Sequence, residues 1–243
     1  MINKVYLPYV SNQYQLRKGI GLTYGTSADL TALRCDWWYN WDMGAIGDSH
    51  YVPLTKTGLP DSRVPADYPG YILFLNEPEY STQSNLTPIE AASRYNAFVT
   101  HYPQAKIIAG GIGRDGYKRG WLEIFRSKIN KQPMGWHLHS YLELGVELDF
   151  FLEMWDYYHL NFDGEIWLTE FNDVDQTDPD RFETMLNEIV SRLWIDRYAV
   201  FTNRCTGLDW WWPKHWPSPD SINMMTVQGE LTDRGKIYQR MVK

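Results

Sequence analysis

Short apolar runs that alternate with amphipathic, helix-spaced stretches constrain this 243-residue chain more than any other feature. Gly19 to Tyr24, Asp36 to Trp41 and Tyr51 to Leu54 read as three strands, with Pro53 weakening the third. Tyr71 to Leu75 is continuously apolar, as a strand buried on both faces must be. Thr87-Pro88-Ile89-Glu90 then carries a helix start: a capping Thr, Pro at the first helical position and Glu close behind. Ala91, Tyr95 and Phe98 follow it at helical spacing. Ala105 to Gly110, Met134 to Tyr141 and Glu165 to Glu170 read as the fifth, sixth and seventh strands. The helices after them are marked by Trp121, Ile124 and Phe125, by Leu148, Phe151, Trp155 and Tyr158, and by Phe182, Leu186, Ile189 and Leu193. For the eighth strand there are two candidates. Gly207 to Trp212 is favoured, with the preceding helix running to about Asn203; Tyr198 to Phe201 is the other. A last helix opens near Thr232.

Alternation of this kind implies a parallel sheet. Seven or eight units in 243 residues favour a closed (β/α)8 TIM barrel over an open doubly wound sheet. No composition shift divides the chain, so residues 1–243 are expected to form one catalytic domain. No GxGxxG follows a strand, and Gly110-Gly111-Ile112-Gly113 reads as a tight turn rather than a phosphate loop, so no cofactor is expected.

Charge and composition exclude several classes. The net charge of −7, without a Lys/Arg cluster, disfavours nucleic acid and anionic membrane as partners. No apolar run approaches the roughly 20 residues of a membrane span. The given N-terminus shows no secretory signal, although trimming would hide one, and the chain is expected to be soluble and monomeric. Cys35 and Cys205 form no CxxC pattern and read as two buried thiols. The unusual quantity is aromatic: 12 Trp and 17 Tyr. Several Trp sit beside turn-like or polar residues, where an indole face can stack on the C–H face of a sugar ring; filling the core is an equal alternative for any one of them. Trp38, Trp41 and Trp212 are the stacking candidates, and a polysaccharide or oligosaccharide is the expected partner.

Catalytic groups of such barrels sit at the C-terminal ends of strands. Two carboxylates fall there: Glu77, after Tyr71 to Leu75, and Glu170, closing Ile166-Trp167-Leu168-Thr169-Glu170. A charge beside a buried apolar strand is costly unless paired, which is a reason to suspect use. Strands four and seven lie nearly across the mouth of a ring of eight, so the two side chains can converge on one glycosidic bond. One acid would protonate the leaving oxygen; the second carboxylate would attack, or activate water. Helix capping is the ordinary alternative for either residue alone. Asp36, Asp42 and Asp173 are weaker sugar-binding candidates. His137 and His139 share a strand face, but no Asp or Glu stands at ligand spacing, so no metal is expected. No lysine ends a strand, which argues against Schiff-base chemistry.

Asn76-Glu77-Pro78 and Thr169-Glu170-Phe171 resemble the acid/base and nucleophile settings of clan A glycoside hydrolases. Within the clan the chain is most similar to glycoside hydrolase family 128. The similarity is carried by Trp38-Tyr39-Asn40-Trp41, Phe74-Leu75-Asn76-Glu77-Pro78, His139-Ser140-Tyr141, Trp167-Leu168-Thr169-Glu170-Phe171 and the segment Gly229 to Tyr238. Ser140 stands where the family tends to have Trp, and Arg197-Tyr198-Ala199-Val200-Phe201 lacks a family Trp. The resemblance implies a retaining endo-β-1,3-glucanase with Glu77 as acid/base and Glu170 as nucleophile. It implies that Asn76 holds the sugar 2-hydroxyl, that Tyr141 hydrogen-bonds Glu170 and keeps it ionised, and that His139 lines the subsite. Asn40 and Trp38, in the second-strand run, join the substrate-binding set. A different clan A glycan, or a carbohydrate-binding barrel without catalysis, are the alternatives.

Overall fold

The structure, a computed structural model, describes residues 17–25, 27–175, 177–206, 216 and 219–241. Eight parallel strands run β1 (Lys18–Gly21), β2 (Trp37–Tyr39), β3 (Leu54–Thr55), β4 (Tyr71–Phe74), β5 (Lys106–Ile112), β6 (Gly135–Leu142), β7 (Glu165–Asp173) and β8 (Ile195–Val200). Their order is β2-β1-β8-β7-β6-β5-β4-β3. The ring closes where Trp38 bridges Tyr51: Trp38 N donates to His50 O at 2.9 Å and Val52 N to Trp38 O at 2.9 Å. This is a nearly closed (β/α)8-type barrel.

The helices are α1 (Ser27–Leu33), α2 (Pro88–His101), α3 (Arg114–Lys118), α4 (Trp121–Arg126), α5 (Leu148–Asn161), α6 (Pro179–Ser191), α7 (Pro219–Ile222) and α8 (Asp233–Arg240). The Thr87 signature forms a complete capping box, with Glu90 N donating to Thr87 Oγ1 and Thr87 N to Glu90 Oε2. Ala91, Tyr95 and Phe98 face the core as their spacing requires. No helix follows β2 or β3; residues 40–53 and 56–70 cross between strands as loops and build that side of the mouth.

Three expectations change. The eighth strand is Ile195–Val200, overlapping the less favoured Tyr198–Phe201 candidate, and α6 stops at Ser191, well short of Asn203. The favoured run from Gly207 to Trp212 lies outside the described residues. The Gly110-Gly111 pair is not a turn but the end of β5, where the pairing with β6 shifts register. Both glycines have positive φ, +127° and +64°, and a Cβ on Gly110 would meet His137 O at 2.7 Å, so glycine is required.

Alternation along the strands makes two apolar layers. Outward residues pack beneath the helices. Inward ones, including Trp37, Tyr39, Leu54, Leu73, Ile108 and Trp167, fill the barrel. Arg197, at the N-terminal end of β8, lies 4.5 Å from the Trp167 ring and 4.7 Å from that of Tyr71 and so covers the barrel floor. The filled floor leaves the C-terminal mouth as the place for a cleft.

Candidate active site

Backbone strain sets the first carboxylate. Leu75 and Glu77, just past β4, have φ of +77° and +44°. Such residues cost about 1–3 kcal/mol each and persist only when their surroundings fix them. Here Leu75 N donates to Thr55 O at 2.9 Å and Glu77 N to Gly111 O at 2.8 Å. Ser84 Oγ donates to Asn76 O at 2.5 Å. The kink turns Glu77 into the mouth.

An extra residue sets the second. Leu138 pairs with Leu168, but the next residue, His139, pairs with Glu170, so Thr169 is bulged out of register. Strict alternation would place Glu170 on the outward face with Leu168; the bulge restores it to the mouth beside His139. Glu170 therefore lies within β7 rather than at its end, since pairing continues to Leu142 and Asp173.

The two carboxylates meet around His139. His139 Nδ1 is 3.2 Å from Glu77 Oε1 and 3.4 Å from Glu170 Oε2. One ring nitrogen of His139 and one carboxylate oxygen from each glutamate lie within 4.8 Å of one another. They are the metal-ligand-like grouping among the described residues, and it is made by folding rather than by sequence spacing. Tyr141 donates its hydroxyl to Glu170 Oε2 at 2.6 Å and Trp41 its indole N–H to Oε1 at 2.8 Å. Glu170 is 3% exposed, whereas the Glu77 side chain keeps 16% exposure. One carboxylate is thus fixed by donors and the other is open to the cleft.

Burial pushes the Glu170 carboxyl up, against the pull of His139 and its two donors, and the Glu77 charge adds to the rise. Burial thus outweighs the Tyr141 hydrogen bond that the resemblance expects to keep Glu170 ionised. Burial alone would lower His139, but the carboxylates of Glu170 and Glu77 reverse this and raise it. Burial, then Glu170, pushes the Tyr141 hydroxyl well above the usual phenol range, so it stays a donor. His137 is lowered to about 3 by burial and remains neutral, bonded to Thr169 Oγ1 at 2.8 Å and Phe74 O at 3.2 Å. It is a satisfied core histidine.

A cleft of about 570 Å³ opens over this group, lined among others by Trp41, Asn76, His139, Tyr141, Phe201 and Trp216. Its size falls in the range of small-molecule sites. Two buried polar atoms at its floor, Asn76 Oδ1 and His139 Nε2, have no protein partner among the described residues. Both suit sugar hydroxyls.

Of the residues singled out from sequence, Glu77, Glu170, Asn76, Trp41, His139 and Tyr141 come together in the cleft. Trp38 and Asn40 do not. They lie on the opposite face of the second-strand segment from Tyr39 and Trp41 and line a separate cavity of about 200 Å³. Trp212 lies outside the described residues. Asp42 is paired with Arg63 at 2.5 Å, and Asp173 is fully buried with its Oδ1 accepting from Asp175 N at 3.1 Å. Asp36 precedes β2, at the barrel end away from the cleft.

Sequence reasoning missed Glu79 and Phe201, and it counted Trp216 among the clustered tryptophans without choosing it for stacking. Glu79 Oε1 accepts from Gly113 N at 2.6 Å, and burial raises its carboxyl to about 7. Its only signal was its place in Asn76-Glu77-Pro78-Glu79. Trp216 carried the same polar-flanked tryptophan signal as Trp38.

A parallel barrel whose mouth holds two convergent carboxylates under aromatic walls is the architecture of a glycoside hydrolase. The family model described as glycosyl hydrolase catalytic core matches residues 21–238, and the chain belongs to that family. No curated protein matches it by sequence. Among solved structures it is similar to an endo-β-1,3-glucanase of glycoside hydrolase family 128, subgroup I, from Amycolatopsis mediterranei, in complex with laminarihexaose. That match has a TM-score of 0.72 and 18% identity, over 93% of this chain and 99% of the other. It is similar also to an oligosaccharide-binding protein of subgroup VII from Cryptococcus neoformans, with a TM-score of 0.69 and 22% identity over 93% of each chain. A third, a curdlan-specific exo-β-1,3-glucanase of subgroup III from Blastomyces gilchristii, gives a TM-score of 0.65 and 22% identity over 95% of this chain and 100% of that one. Among the described residues no helix is long and apolar enough to cross a membrane.

Proposed function

We propose that the chain is a retaining endo-β-1,3-glucanase in which Glu77 is the acid/base and Glu170 the nucleophile. The observation that carries this reading is the contact of both carboxylates with one His139 nitrogen, with one oxygen of each carboxylate within 4.8 Å of one of the other. Retaining pairs stand about 5–5.5 Å apart, while inverting pairs at about 6.5–9.5 Å leave room for a water between them.

Glu170 attacks the anomeric carbon while Glu77 gives its proton to the departing glycosidic oxygen. The C–O bond to the leaving sugar breaks as the ester bond to Glu170 forms. Glu77, now ionised, takes a proton from water; the hydroxide formed attacks the same carbon, and Glu170 leaves as carboxylate. Tyr141 and Trp41 aim the Glu170 oxygens and stabilise their charge when it is regenerated. Asn76 Oδ1 and His139 Nε2 stand ready for hydroxyls of the bound sugar. The linkage is taken from the two glucanases, which are likewise the reason to prefer glucan over mannan or xylan.

The test is reducing-sugar release across linear β-1,3-glucan, β-1,4-glucan, mannan and xylan, with proton NMR of the first product. The expected result is cleavage of β-1,3-glucan into mixed oligomers with β product formed first. An α product at first would overturn retention. Glucose alone would overturn the endo mode, and calorimetric binding of every glycan without turnover would replace the enzyme by a binding barrel.

A further inference from the structure

We propose that the smaller cavity beside the cleft is a remote subsite for one neutral pyranose ring of the glycan held over Glu77 and Glu170; it rests on the glycosidase reading above. The cavity is lined by Thr23, Tyr24, Trp38, Asn40 and Asp48, among others. Thr23 also lines the main cleft, so the two spaces adjoin on the β1–β2 side of the mouth. At about 200 Å³ the cavity is below the ~300–1,000 Å³ of drug-sized sites and suits a single ring.

Its polar groups are already oriented. Asp48 Oδ2 accepts the Trp38 indole N–H at 3.0 Å, while Oδ1 accepts His50 N at 2.8 Å and lies 3.1 Å from His50 Nδ1. A carboxylate has about four lone-pair sites, so Oδ2 keeps capacity for a sugar hydroxyl. The Tyr51 hydroxyl lies 2.8 Å from Asn40 Oδ1 and 2.5 Å from Asp42 O, and its one proton serves one of them at a time; in either orientation the Asn40 amide keeps a polar atom for the cavity. A carboxylate acceptor and an amide beside a half-buried indole match the vicinal hydroxyls and C–H face of a sugar. Among the described residues no Lys or Arg lines the cavity, and Asp48 would repel an anionic sugar, so the ring is neutral. The Trp38 ring is supported from behind by Tyr51, centroids 4.5 Å apart.

The experiment uses β-1,3-linked glucose oligomers of increasing length with the wild-type chain and with Trp38→Ala, Trp38→Phe and Asp48→Asn. Trp38→Phe keeps a ring on Tyr51 if the alanine variant fails to fold. The readout is the ratio of kcat/KM for long over short oligomers. In the wild type it should step up where an added ring reaches the cavity. In Trp38→Ala it should fall about tenfold, with smaller falls in the other two. An unchanged ratio in folded Trp38→Phe and Asp48→Asn overturns the subsite. If the wild type cleaves none of the oligomers, the glycosidase reading fails by itself. Calorimetric titration with the same oligomers then decides the subsite: a length-dependent step in affinity that Asp48→Asn removes supports it, and no step overturns it.

Discussion

At the scale of single residues, the site separates one fixed carboxylate from one open carboxylate, and this difference can be measured. Glu170 has a donor on each oxygen, while among the described residues the Glu77 carboxylate has His139 Nδ1 at 3.2 Å as its side-chain partner. Glu170→Ala should be inactive on glucan and on activated aryl glycosides alike, because no nucleophile remains. Glu77→Ala should lose ~10²–10⁴-fold on glucan. On an aryl glycoside with a good leaving group it should still form the glycosyl-enzyme, and azide should speed its breakdown into a β-glycosyl azide. Rescue of Glu170→Ala instead, giving an α-azide, would exchange the two roles. A second expectation concerns stability. Burial raises the Glu170 carboxyl. A raised carboxyl favours the fold fully below its unfolded value of about 4.3, and this is lost as pH rises through its folded value. Glu170→Gln should therefore melt above the wild type at pH 7. The gap should close toward pH 4. An unchanged or lower Tm at pH 7 would show that His139, Tyr141 and Trp41 outweigh burial.

At the scale of elements, what could be read from sequence follows from which signals are local. Tyr71 to Leu75, the Thr87 cap and the helix-spaced Tyr95 and Phe98 are local signals, and each formed as expected. β8 was harder because Ile195-Asp196-Arg197-Tyr198 mixes charge into a strand: Arg197 belongs to the barrel floor, where a cation over Trp167 and Tyr71 is tolerated. The bulge at Thr169 has no sequence mark, because a register shift depends on the partner strand. This is why Glu170 could be chosen but not placed. Trp38 could not be placed for a related reason: period-two alternation separates it from Trp41, and only the fold shows which face meets the cleft and which the smaller cavity. Glycine contacts give a test at this scale. A Cβ on Gly235, in the first turn of α8, would lie 1.8 Å from Met224 O, a backbone atom, whereas one on Gly47 meets nothing within 4 Å. Gly235→Ala should cost about 1–3 kcal/mol by overpacking, lowering Tm by roughly 2–12 °C. Gly47→Ala should stay within about 0.5 kcal/mol. Equal melting of the two by thermal denaturation would mean that α8 shifts freely against the segment after β8.

At the scale of the whole molecule, a barrel is a ring, and its stability depends on the contacts that join early chain to late chain. β1 pairs with β8, placing Gly19 opposite Ala199. The Tyr238 hydroxyl donates to Gly19 O at 2.5 Å, tying α8 to the first strand. Above them, Asp29 of α1 is buried and accepts from Asn203 Nδ2 at 2.8 Å and from Arg204 at 2.5 Å and 3.0 Å. Arg204 continues to Val227 O at 3.0 Å, so one guanidinium links the first helix, the segment after β8 and the loop before α8. Removing one partner of such a buried pair strands the other charge, at a cost of about 3–5 kcal/mol. Arg204→Ala should therefore lower Tm by roughly 6–20 °C for a chain of this size. The double variant Arg204→Ala with Asp29→Asn should recover part of the loss, because no stranded charge remains. The loss should appear together in far-ultraviolet and near-ultraviolet circular dichroism, since opening the seam between β1 and β8 exposes the tryptophan-filled interior as it releases the sheet. A near-ultraviolet signal that melts first in Arg204→Ala, with the far-ultraviolet transition unmoved, would mean that the pair holds only the mouth loops and that the ring is closed by its strands alone.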